Sequence, residues 1–485
     1  MWWRNASATP MAHDLMRGMR AWSQSVTSSL EDGKQKKTIY ALDGVRALAC
    51  LGVVSFHLNL WAYIGHVWSP FLDDFGAMVS SLALIGETGV LLFFILSGFL
   101  LFLPYAKAML FDGAWPSLRR FYIRRIFRIL PGYYVALFLM LLYLNPDYLR
   151  AANWDKLLLF LTFRMDFPVT YQQLNAPFWT LAIEFQFYLL LPLAAWLMGR
   201  IVRGGSLRLR LFKMSLCLTL LLAWGFLTRY WGFKLADTYQ LDAIVPHSFA
   251  QLLRPYIFGT VGKFFESFAI GMFVCMLYVY LNNIPHSATR KRHLERSSPV
   301  LLLLGLVLLF GVNIWHYYVI YMIHRAFHFL DPYQDFMESY RDIVMQDGFS
   351  IAYGMILFAI LHGSRRLQRP FEWTPLRWIG LVSFSLYMWH DPFVIYFLSG
   401  LLPRFQALGW SGTAQYASYV LWVGVTTIPL AFTLYRWVEL PGMRLGEKLC
   451  KLIDRTPREL VAIPEPVPAR ELPMALSSSS SSTKN

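Results

Sequence analysis

Stretches of about twenty mainly apolar residues recur along the chain, separated by polar connections. Wound as an α-helix, a stretch of that length spans a hydrocarbon core of about 30 Å. The pattern therefore predicts an all-α integral membrane protein, a bundle of about ten transmembrane helices. The predicted helices lie at 41–63, 80–104, 127–145, 177–199, 211–230, 257–281, 299–323, 349–363, 376–400 and 417–438. The eighth is short, and we expect it to be less tilted or only partly inserted.

The regions flanking the bundle differ from it in polarity. Residues 1–39 are polar and lack the apolar stretch after a basic start that marks a cleaved signal peptide. They are predicted to form a cytoplasmic N-terminal segment, followed by a transmembrane domain at 40–445. Residues 446–485 become Pro-rich and then Ser-rich, which predicts a cytoplasmic and largely disordered tail. We therefore expect any chemistry to occur in the bundle and its loops.

Composition and charge agree with a bilayer environment. Hydrophobic residues make up 56% of the chain and charged residues 15%, which is too few charges for an ordinary soluble surface. The net charge of +15 is uneven, because Lys and Arg concentrate in the two terminal segments and in the even-numbered connections. By the positive-inside rule both termini are cytoplasmic. The basic excess is thus mainly topological, which argues against a nucleic-acid partner, although it also suits anionic ligands at the cytoplasmic face.

Ionisable residues inside the predicted helices mark the candidate site, because a charge at the bilayer centre costs at least about 2.5–3.5 kcal/mol on insertion scales. Arg46 and His57 are eleven positions apart, which places them on one helix face and roughly 16 Å apart along the axis. Arg46 alone could be a snorkelling anchor, and His57 alone could be satisfied by a neighbouring helix. Together they favour a passage in which Arg46 holds a phosphate-bearing donor and His57 removes a proton from a hydroxyl.

The third and fourth helices add basic and acidic candidates. Arg125 and Arg128 are three apart on one helix face and could form a second phosphate clamp, although topogenic charge explains most arginines there. Glu184 lies in a strongly apolar run, with Tyr188 one turn later on the same face. Glu184 could neutralise an arginine on a neighbouring helix, or it could orient His57 or hold an acceptor hydroxyl.

Further candidates for a supporting role lie at Asp43 in the first helix and near the C-terminal end of the bundle. His390 lies in the ninth predicted helix. Arg436 and Glu439 are spaced to pair at i, i+3, and a structural ion pair is the favoured interpretation.

No metal site is expected. His324 and His328 have the spacing of metal ligands on a helix, but Arg325 stands where a zinc-protease pattern places its glutamate. Interfacial histidines are therefore favoured. The four cysteines lack paired spacing and are predicted to be small buried apolar residues.

Six segments, taken in order, resemble the membrane acyltransferase 3 family, which includes O-antigen and other exopolysaccharide O-acetylases and macrolide acyltransferases. They are LDGVRALACLGVVSFH at 42–57, FFILSGFLL at 93–101, RRIFRILPGYY at 124–134, FWTLAIEFQFYLLLPL at 178–193, SFSLYMWHDP at 383–392 and YRWVELP at 435–441. The resemblance covers the chain from about Tyr40 to Leu445, which is essentially the whole bundle.

The resemblance implies a membrane-bound O-acyltransferase. Such an enzyme moves an acyl group, commonly acetyl from acetyl-CoA, to a hydroxyl of a carbohydrate, a glycolipid or another small acceptor. The residues that match the arginines and histidine of the family motifs are Arg46, His57, Arg125 and Arg128. The family glutamate matches Glu184, but Phe185 stands where a second acid usually follows it. This departure weakens any mechanism that needs two adjacent carboxylates.

The partners expected from this resemblance are the lipid bilayer, acetyl-CoA or another acyl-CoA, and a sugar-containing acceptor, in a bacterial plasma membrane. The main alternative is a multi-pass transporter that uses buried Arg, His and Glu to move protons or an anionic solute. The outward connections at 231–256 and 324–348 are expected to select the acceptor, although an acidic solvated loop explains the second equally well. Its acidic residues are Asp331, Asp335, Glu338, Asp342 and Asp347.

Overall fold

The computed structural model describes residues 39–71, 76–236, 246–284, 288–320 and 327–454, and these are helical or irregular, without a strand. The α-helices are α1 Ala41–Ile64, α2 Gly76–Leu84, α3 Gly89–Leu110, α4 Leu118–Tyr143, α5 Trp154–Leu161, α6 Phe178–Val202, α7 Leu207–Tyr230, α8 His247–Ile257, α9 Phe265–Asn283, α10 Ala288–Ile320, α11 Gln334–His362, α12 Arg365–Gln368, α13 Thr374–Tyr396, α14 Leu402–Ala407, α15 Gly412–Leu434 and α16 Leu440–Asp454. Nearly all of the N-terminal segment, the end of the tail, His324 and Arg325 lie outside the described residues.

Nine helical segments of the described chain are long and apolar enough to cross a membrane. They are Ala41–Ile64, Met78–Leu110, Leu118–Tyr143, Phe178–Val202, Leu207–Leu235, Phe265–Asn283, Arg292–Val319, His328–His362 and Gly412–Ile453. The ninth predicted segment forms α13, which is helical but less apolar, because it carries Arg377, His390 and Asp391. The all-helical membrane architecture is therefore confirmed, while the count of ten and the orientation of the termini stay predictions.

Several helices begin elsewhere than hydropathy predicts. The third predicted helix begins at Leu118 rather than 127, where the Ser117 side chain accepts a hydrogen bond from a backbone N–H of the first turn. Its arginines therefore lie inside a regular helix with defined faces. The sixth begins at Phe265 rather than 257, because residues 258–264 form a loop.

The prediction of a short eighth helix is wrong. Its counterpart α11 has 29 residues and begins at Gln334, well before the predicted start at 349. Hydropathy misses the first turns because they are rich in charged and polar side chains. Most of the predicted outward connection at 324–348 is therefore helix, and its acidic residues from Asp335 onward are carried on α11.

The central helix of the bundle is α3, which packs on α9 at two glycines. A Cβ at Gly98 would overlap the carbonyl oxygen of Phe268, and a Cβ at Gly271 would overlap that of Ile95. Small residues let two helix backbones approach closely in a membrane. Gly98 is therefore a packing residue.

The peripheral helices α7 and α10 face away from the core. Only 17% of the most apolar window is buried in each of these two spans. Large apolar residues such as Leu220 on α7 and Val307 on α10 are more than half exposed. Such a surface suits contact with lipid, whereas α1, α3, α6 and α13 enclose the polar interior.

Candidate functional site

A cavity of about 120 Å³ lies among α1, α3, α4, α6 and α13. We call it the arginine cavity. Its charged or hydrogen-bonding lining residues are Arg46, Ser97, Arg125, Arg128, Thr180, Glu184, Tyr188, Ser383 and Tyr387. Five of the predicted site residues, from three different helices, are thus brought together in one place.

Two of the three guanidinium groups in this cavity have no hydrogen-bond or ion-pair partner among the described residues. Within the described residues, neither Arg46 nor Arg125 forms a hydrogen bond or ion pair, and both line the cavity. Arg128 differs, because its Nη1 lies 2.8 Å from Sδ of Met443 and 3.9 Å from Oε2 of Glu439. Unpaired guanidinium groups in a largely apolar cavity form a site for an anion.

Glu184 is held in the arginine cavity by two hydroxyl groups. Its Oε1 accepts a hydrogen bond from Oγ of Ser97, and its Oε2 accepts one from the hydroxyl of Tyr188, both at 2.9 Å. The prediction that Tyr188 shares a face with Glu184 is confirmed. No contact joins Glu184 to His57 in the described chain, so the option that Glu184 directly orients His57 has no structural support.

A second cavity of about 450 Å³ lies farther along α1, and we call it the histidine cavity. His57 lines it, together with aromatic side chains from α6, from α11 and from the loops before α6 and α9. Val90 and Tyr387 line both cavities. The Tyr387 hydroxyl lies 3.0 Å from Oγ1 of Thr180, which fixes the ring in the wall between the two.

Hydrogen bonds to backbone carbonyls define which nitrogens of the two histidines carry protons. Nδ1 of His390 lies 2.8 Å from the carbonyl oxygen of Tyr387, which can only accept, so Nε2 of His390 is an acceptor. That Nε2 lies 3.1 Å from Nδ1 of His57, which is also 2.9 Å from the carbonyl oxygen of Val53. Nδ1 of His57 is therefore the donor, and its Nε2 keeps a lone pair with no partner among the described residues.

The residue after His390 also contributes to this region. Asp391 is 1% exposed, and its Oδ1 accepts a hydrogen bond from Nε1 of Trp61 at 3.0 Å. Trp61 lies one turn after His57 on α1 and lines the histidine cavity. Asp391 thus ties α13 to α1 beside the two histidines, a role that sequence reasoning did not assign.

Besides His390, three supporting candidates lie outside the cavity linings. Asp43, at the start of α1, has its Oδ2 4.0 Å from Nε of Arg377 on α13. Arg436 and Glu439 belong to a π-helical turn, Tyr435–Glu439, between α15 and α16. Glu439 is fully buried, accepts a hydrogen bond from Ser385 and faces Arg128, whereas Arg436 is exposed.

The predicted Arg436–Glu439 pair is therefore wrong. Pairing at i, i+3 assumes an α-helix with 3.6 residues per turn. A π-helix is bonded from i to i+5, so side chains three apart no longer share a face. The buried carboxylate finds its partners on α4 and α13 instead.

The histidines and acids considered for metal or acceptor binding are spread out. His328 is exposed, with Nδ1 3.3 Å from Oδ2 of Asp331. No group of three or more His, Cys, Asp or Glu residues in the described chain could hold a metal ion. Of the five acids predicted to select the acceptor, Asp342 lines the histidine cavity, where it pairs with Arg341, and the other four do not.

Sequence reasoning missed a carboxylate–imidazole pair in the histidine cavity. Glu87 and His316 are bonded through Oε1 and Nε2, and both line the cavity with His57. Glu87 lies inside the second predicted helix, so the criterion of an ionisable residue in an apolar run would have found it. His316, near the end of α10, lies inside the seventh predicted helix, so the same criterion would have found it.

Two buried ion pairs support the wall that carries Val261 and Phe264. Lys263 pairs with Asp166, and Arg229 pairs with Glu266, with all four side chains at most 3% exposed. Burial lowers the pKa of Lys263, and the charge of Asp166 opposes that shift. These pairs fix the loop before α9 against α7 and against the segment that follows α5.

Comparison with known proteins identifies the chain at the level of its family. The acyltransferase 3 family model, described as an acyltransferase domain, matches residues 39–436. No solved structure matches the chain.

The peptidoglycan O-acetyltransferase OatA of Listeria monocytogenes is 26% identical over 433 residues, which cover 85% of this chain and 57% of that protein. The putative peptidoglycan O-acetyltransferase YrhL of Bacillus subtilis is 26% identical over 430 residues, covering 83% and 54% respectively. A putative O-acetyltransferase of Staphylococcus aureus is 24% identical over 444 residues, covering 86% and 59%.

The chain thus spans little more than half the length of these curated relatives. Nine apolar helices together with bacterial membrane relatives confirm the prediction of a multi-pass bacterial membrane protein. Because the family model covers most of the sequence, this chain belongs to the acyltransferase 3 family.

Proposed function

We propose that this protein is an O-acetyltransferase that moves an acetyl group from acetyl-CoA to a hydroxyl of a cell-envelope carbohydrate. One observation carries the proposal: two unpartnered guanidinium groups line one cavity, and an unpartnered imidazole nitrogen lines the cavity that adjoins it. The first arrangement suits an anionic donor and the second suits a hydroxyl acceptor. The names of the relatives support peptidoglycan as the acceptor.

The proposed orientation places the donor on the cytoplasmic side. The basic connections support cytoplasmic termini and ten spans, with α13 as the span that carries His390. Arg46 then lies near the cytoplasmic end of α1, and His57 lies deeper toward the outside. Acetyl-CoA is a cytoplasmic metabolite, so it meets the arginine cavity first.

The size of the arginine cavity limits which part of the donor it holds. A volume of about 120 Å³ is far below what a whole acetyl-CoA molecule needs, and it suits a compact charged group. We place the diphosphate beside Arg46 and Arg125, with the adenosine toward the basic cytoplasmic face. The pantetheine arm then follows α1 past Tyr387, and the thioester reaches His57, roughly 16 Å along the helix axis.

The chemical step uses Nε2 of His57. This nitrogen removes the proton of the acceptor hydroxyl as the oxygen attacks the thioester carbonyl, the carbon–sulfur bond breaks, and the proton passes to the departing thiolate to give free CoA. His390 accepts the Nδ1 proton of His57 in a hydrogen bond, which holds the ring and stabilises its charged form. Transfer through an acetyl-imidazole on the same nitrogen gives the same products in two steps.

The decisive experiment uses the purified chain in lipid nanodiscs with radiolabelled acetyl-CoA and soluble glycan fragments of peptidoglycan. We expect an alkali-labile acetyl ester on the glycan and one free thiol per ester formed. Rapid quenching during turnover separates the two routes, because the stepwise route leaves label on the protein. Release of label as acetate alone, or flux of an anion across proteoliposomes without ester formation, would contradict the proposal.

A further inference from the structure

The histidine cavity holds a polar group that the acetyl-transfer step does not use. Glu87 and His316 face it from different helices and are bonded to each other. Their side chains are 29% and 16% exposed, so the pair is neither sealed in the core nor open to the surface. A carboxylate that a neighbouring side chain holds in place, in a cavity of this size, is a candidate for contact with the acceptor.

The backbone around Glu87 is fixed. A 3₁₀ turn, Ile85–Thr88, interrupts the long span that includes α3. Gly86 lies against Gly52 of α1 so closely that a Cβ would overlap the carbonyl oxygen of Gly52. The hydroxyl of Thr88 donates to the carbonyl oxygen of Ile85 at 2.7 Å and lies 2.6 Å from the hydroxyl of Tyr353. The turn therefore presents the carboxylate in one position, as expected for irregular backbone that lines a cavity at membrane depth.

His316 fixes the orientation of that carboxylate. Its Nε2 bonds Oε1 of Glu87, while its Nδ1 is buried without a hydrogen-bond partner in the described chain. A proton on Nδ1 would be a buried donor without an acceptor, so Nε2 is the nitrogen that donates to Glu87. Oε2 of Glu87 has no partner among the described residues and remains able to accept a hydrogen bond.

The rest of the wall is aromatic. The rings of Tyr171 and Trp179 lie 5.7 Å apart between centroids, and Trp179 and Phe264 are also 5.7 Å apart. Phe349 packs its ring on His316 at 5.8 Å. Broad ring faces suit the C–H faces of a pyranose, and a carboxylate suits its hydroxyls. The combination favours a polyhydroxylated acceptor over a simple alcohol.

We infer that Glu87, positioned by His316, accepts a hydrogen bond from a second hydroxyl of the acceptor sugar while a first hydroxyl meets His57. Glu87 is thus a specificity-determining residue and His316 its positioning residue. The inference rests on the proposed function. A site built to bond a hydroxyl strongly rejects an analogue that lacks it, because the buried polar group is then left unpaired.

The test compares two acceptors in the nanodisc assay, N,N′,N″-triacetylchitotriose and the monohydroxy alcohol 1-octanol. For the trisaccharide, Glu87→Gln is expected to raise the acceptor KM about tenfold and His316→Gln about threefold, the scale of a hydrogen bond to a charged group. For 1-octanol, and for the KM of acetyl-CoA, both variants should match the wild type within about twofold. The control variant His328→Gln changes an exposed histidine outside the cavity and should change none of these constants.

Glu87→Asp keeps the charge but shortens the side chain. It replaces Glu87→Gln in the same KM comparison if Glu87→Gln fails to fold. A fall in kcat with an unchanged acceptor KM, or an equal loss for both acceptors, would overturn the inference and leave the proposed function standing. Failure of the wild-type protein to acetylate either acceptor would overturn both.

Discussion

The two cavities are built in different ways. The arginine cavity takes its charged side chains from regular turns of α1, α4 and α6, where sequence spacing defines the face. The histidine cavity takes its lining from a 3₁₀ turn, two loops and six long helices. Rigid helices suit the binding of one constant donor, whereas irregular segments can change from protein to protein without disturbing the bundle. The contrast indicates where the members of such a family would differ in acceptor choice.

Backbone conformation shows the same contrast. Gln172 and Phe264, which line the histidine cavity, have φ angles of 55° and 56°, in the left-handed region that disfavours side chains. Each such residue costs on the order of 1–3 kcal/mol and persists only where its surroundings determine it. Phe264 is held by Phe94 and by Arg229, whose guanidinium lies 4.7 Å from its ring centroid. No residue that lines the arginine cavity has a positive φ.

The largest effect is expected at His57. His57→Ala removes the proposed base and should lower kcat for acetyl transfer about 10³-fold, within the range for general base catalysis. Binding of acetyl-CoA should be unchanged, which equilibrium dialysis of the nanodisc sample can measure. His328→Ala is the matched control and should keep full activity. Wild-type transfer by a folded His57→Ala protein would show that the histidine cavity is not the reaction site.

A loss of stability is expected at the ion pair behind the histidine cavity. Asp166→Leu leaves Lys263 buried without its partner and should cost about 3 kcal/mol, seen as a lower melting temperature of the purified protein. The double variant with Lys263→Met should be more stable than Asp166→Leu alone. An equally low melting temperature for the double variant would assign the loss to packing or to the bond that Gln186 donates to Asp166.

An intermediate effect is expected in the arginine cavity. Arg125→Ala removes one unpaired guanidinium and should raise the KM of acetyl-CoA about tenfold, the scale of one charge-assisted hydrogen bond. The acceptor KM should stay constant. Arg124→Ala is the control, because Arg124 pairs with Glu447 on the half-exposed outer face of the same helix. A similar loss in both variants would indicate general charge attraction instead of a defined donor site.

An effect of similar size, but on kcat, is expected at His390. His390→Phe keeps the ring volume but removes one of the two acceptors for Nδ1 of His57, so kcat should fall by about one order of magnitude, as for other residues that orient a functional histidine. Neither KM should change. A drop in the melting temperature without a change in kcat would make His390 a packing residue only.

Helical periodicity was sufficient to predict the helix faces that line the arginine cavity. It placed Arg46 on one face of α1 and Glu184 beside Tyr188 on one face of α6. It was not sufficient for contacts between distant segments. His57 meets His390 across 333 positions, and Glu87 meets His316 across 229, and no local pattern encodes either distance. The Arg436–Glu439 prediction failed for another reason. The π-helical turn holds an extra residue compared with an α-helical turn, so the side chains after it lie on different faces than α-helical spacing predicts.

Hydropathy likewise predicted some helices better than others. It identified α7 closely and misplaced the start of α11, because the first turns of α11 carry polar side chains, some of which contribute to the histidine cavity. It also predicted α13 as an ordinary membrane span, although that helix brings a buried histidine and a buried aspartate into the bundle.

The wall shared by Val90 and Tyr387 has an electrical consequence. Under the proposed function, the phosphate groups of the carrier stay on one side of that wall, and only its neutral pantetheine arm with the acetyl group passes it. Moving one elementary charge through a potential of 100 mV changes the free energy by about 2.3 kcal/mol, whereas a neutral group crosses at no such cost. Acetylation beyond the membrane would then neither draw on the membrane potential nor open a leak for ions.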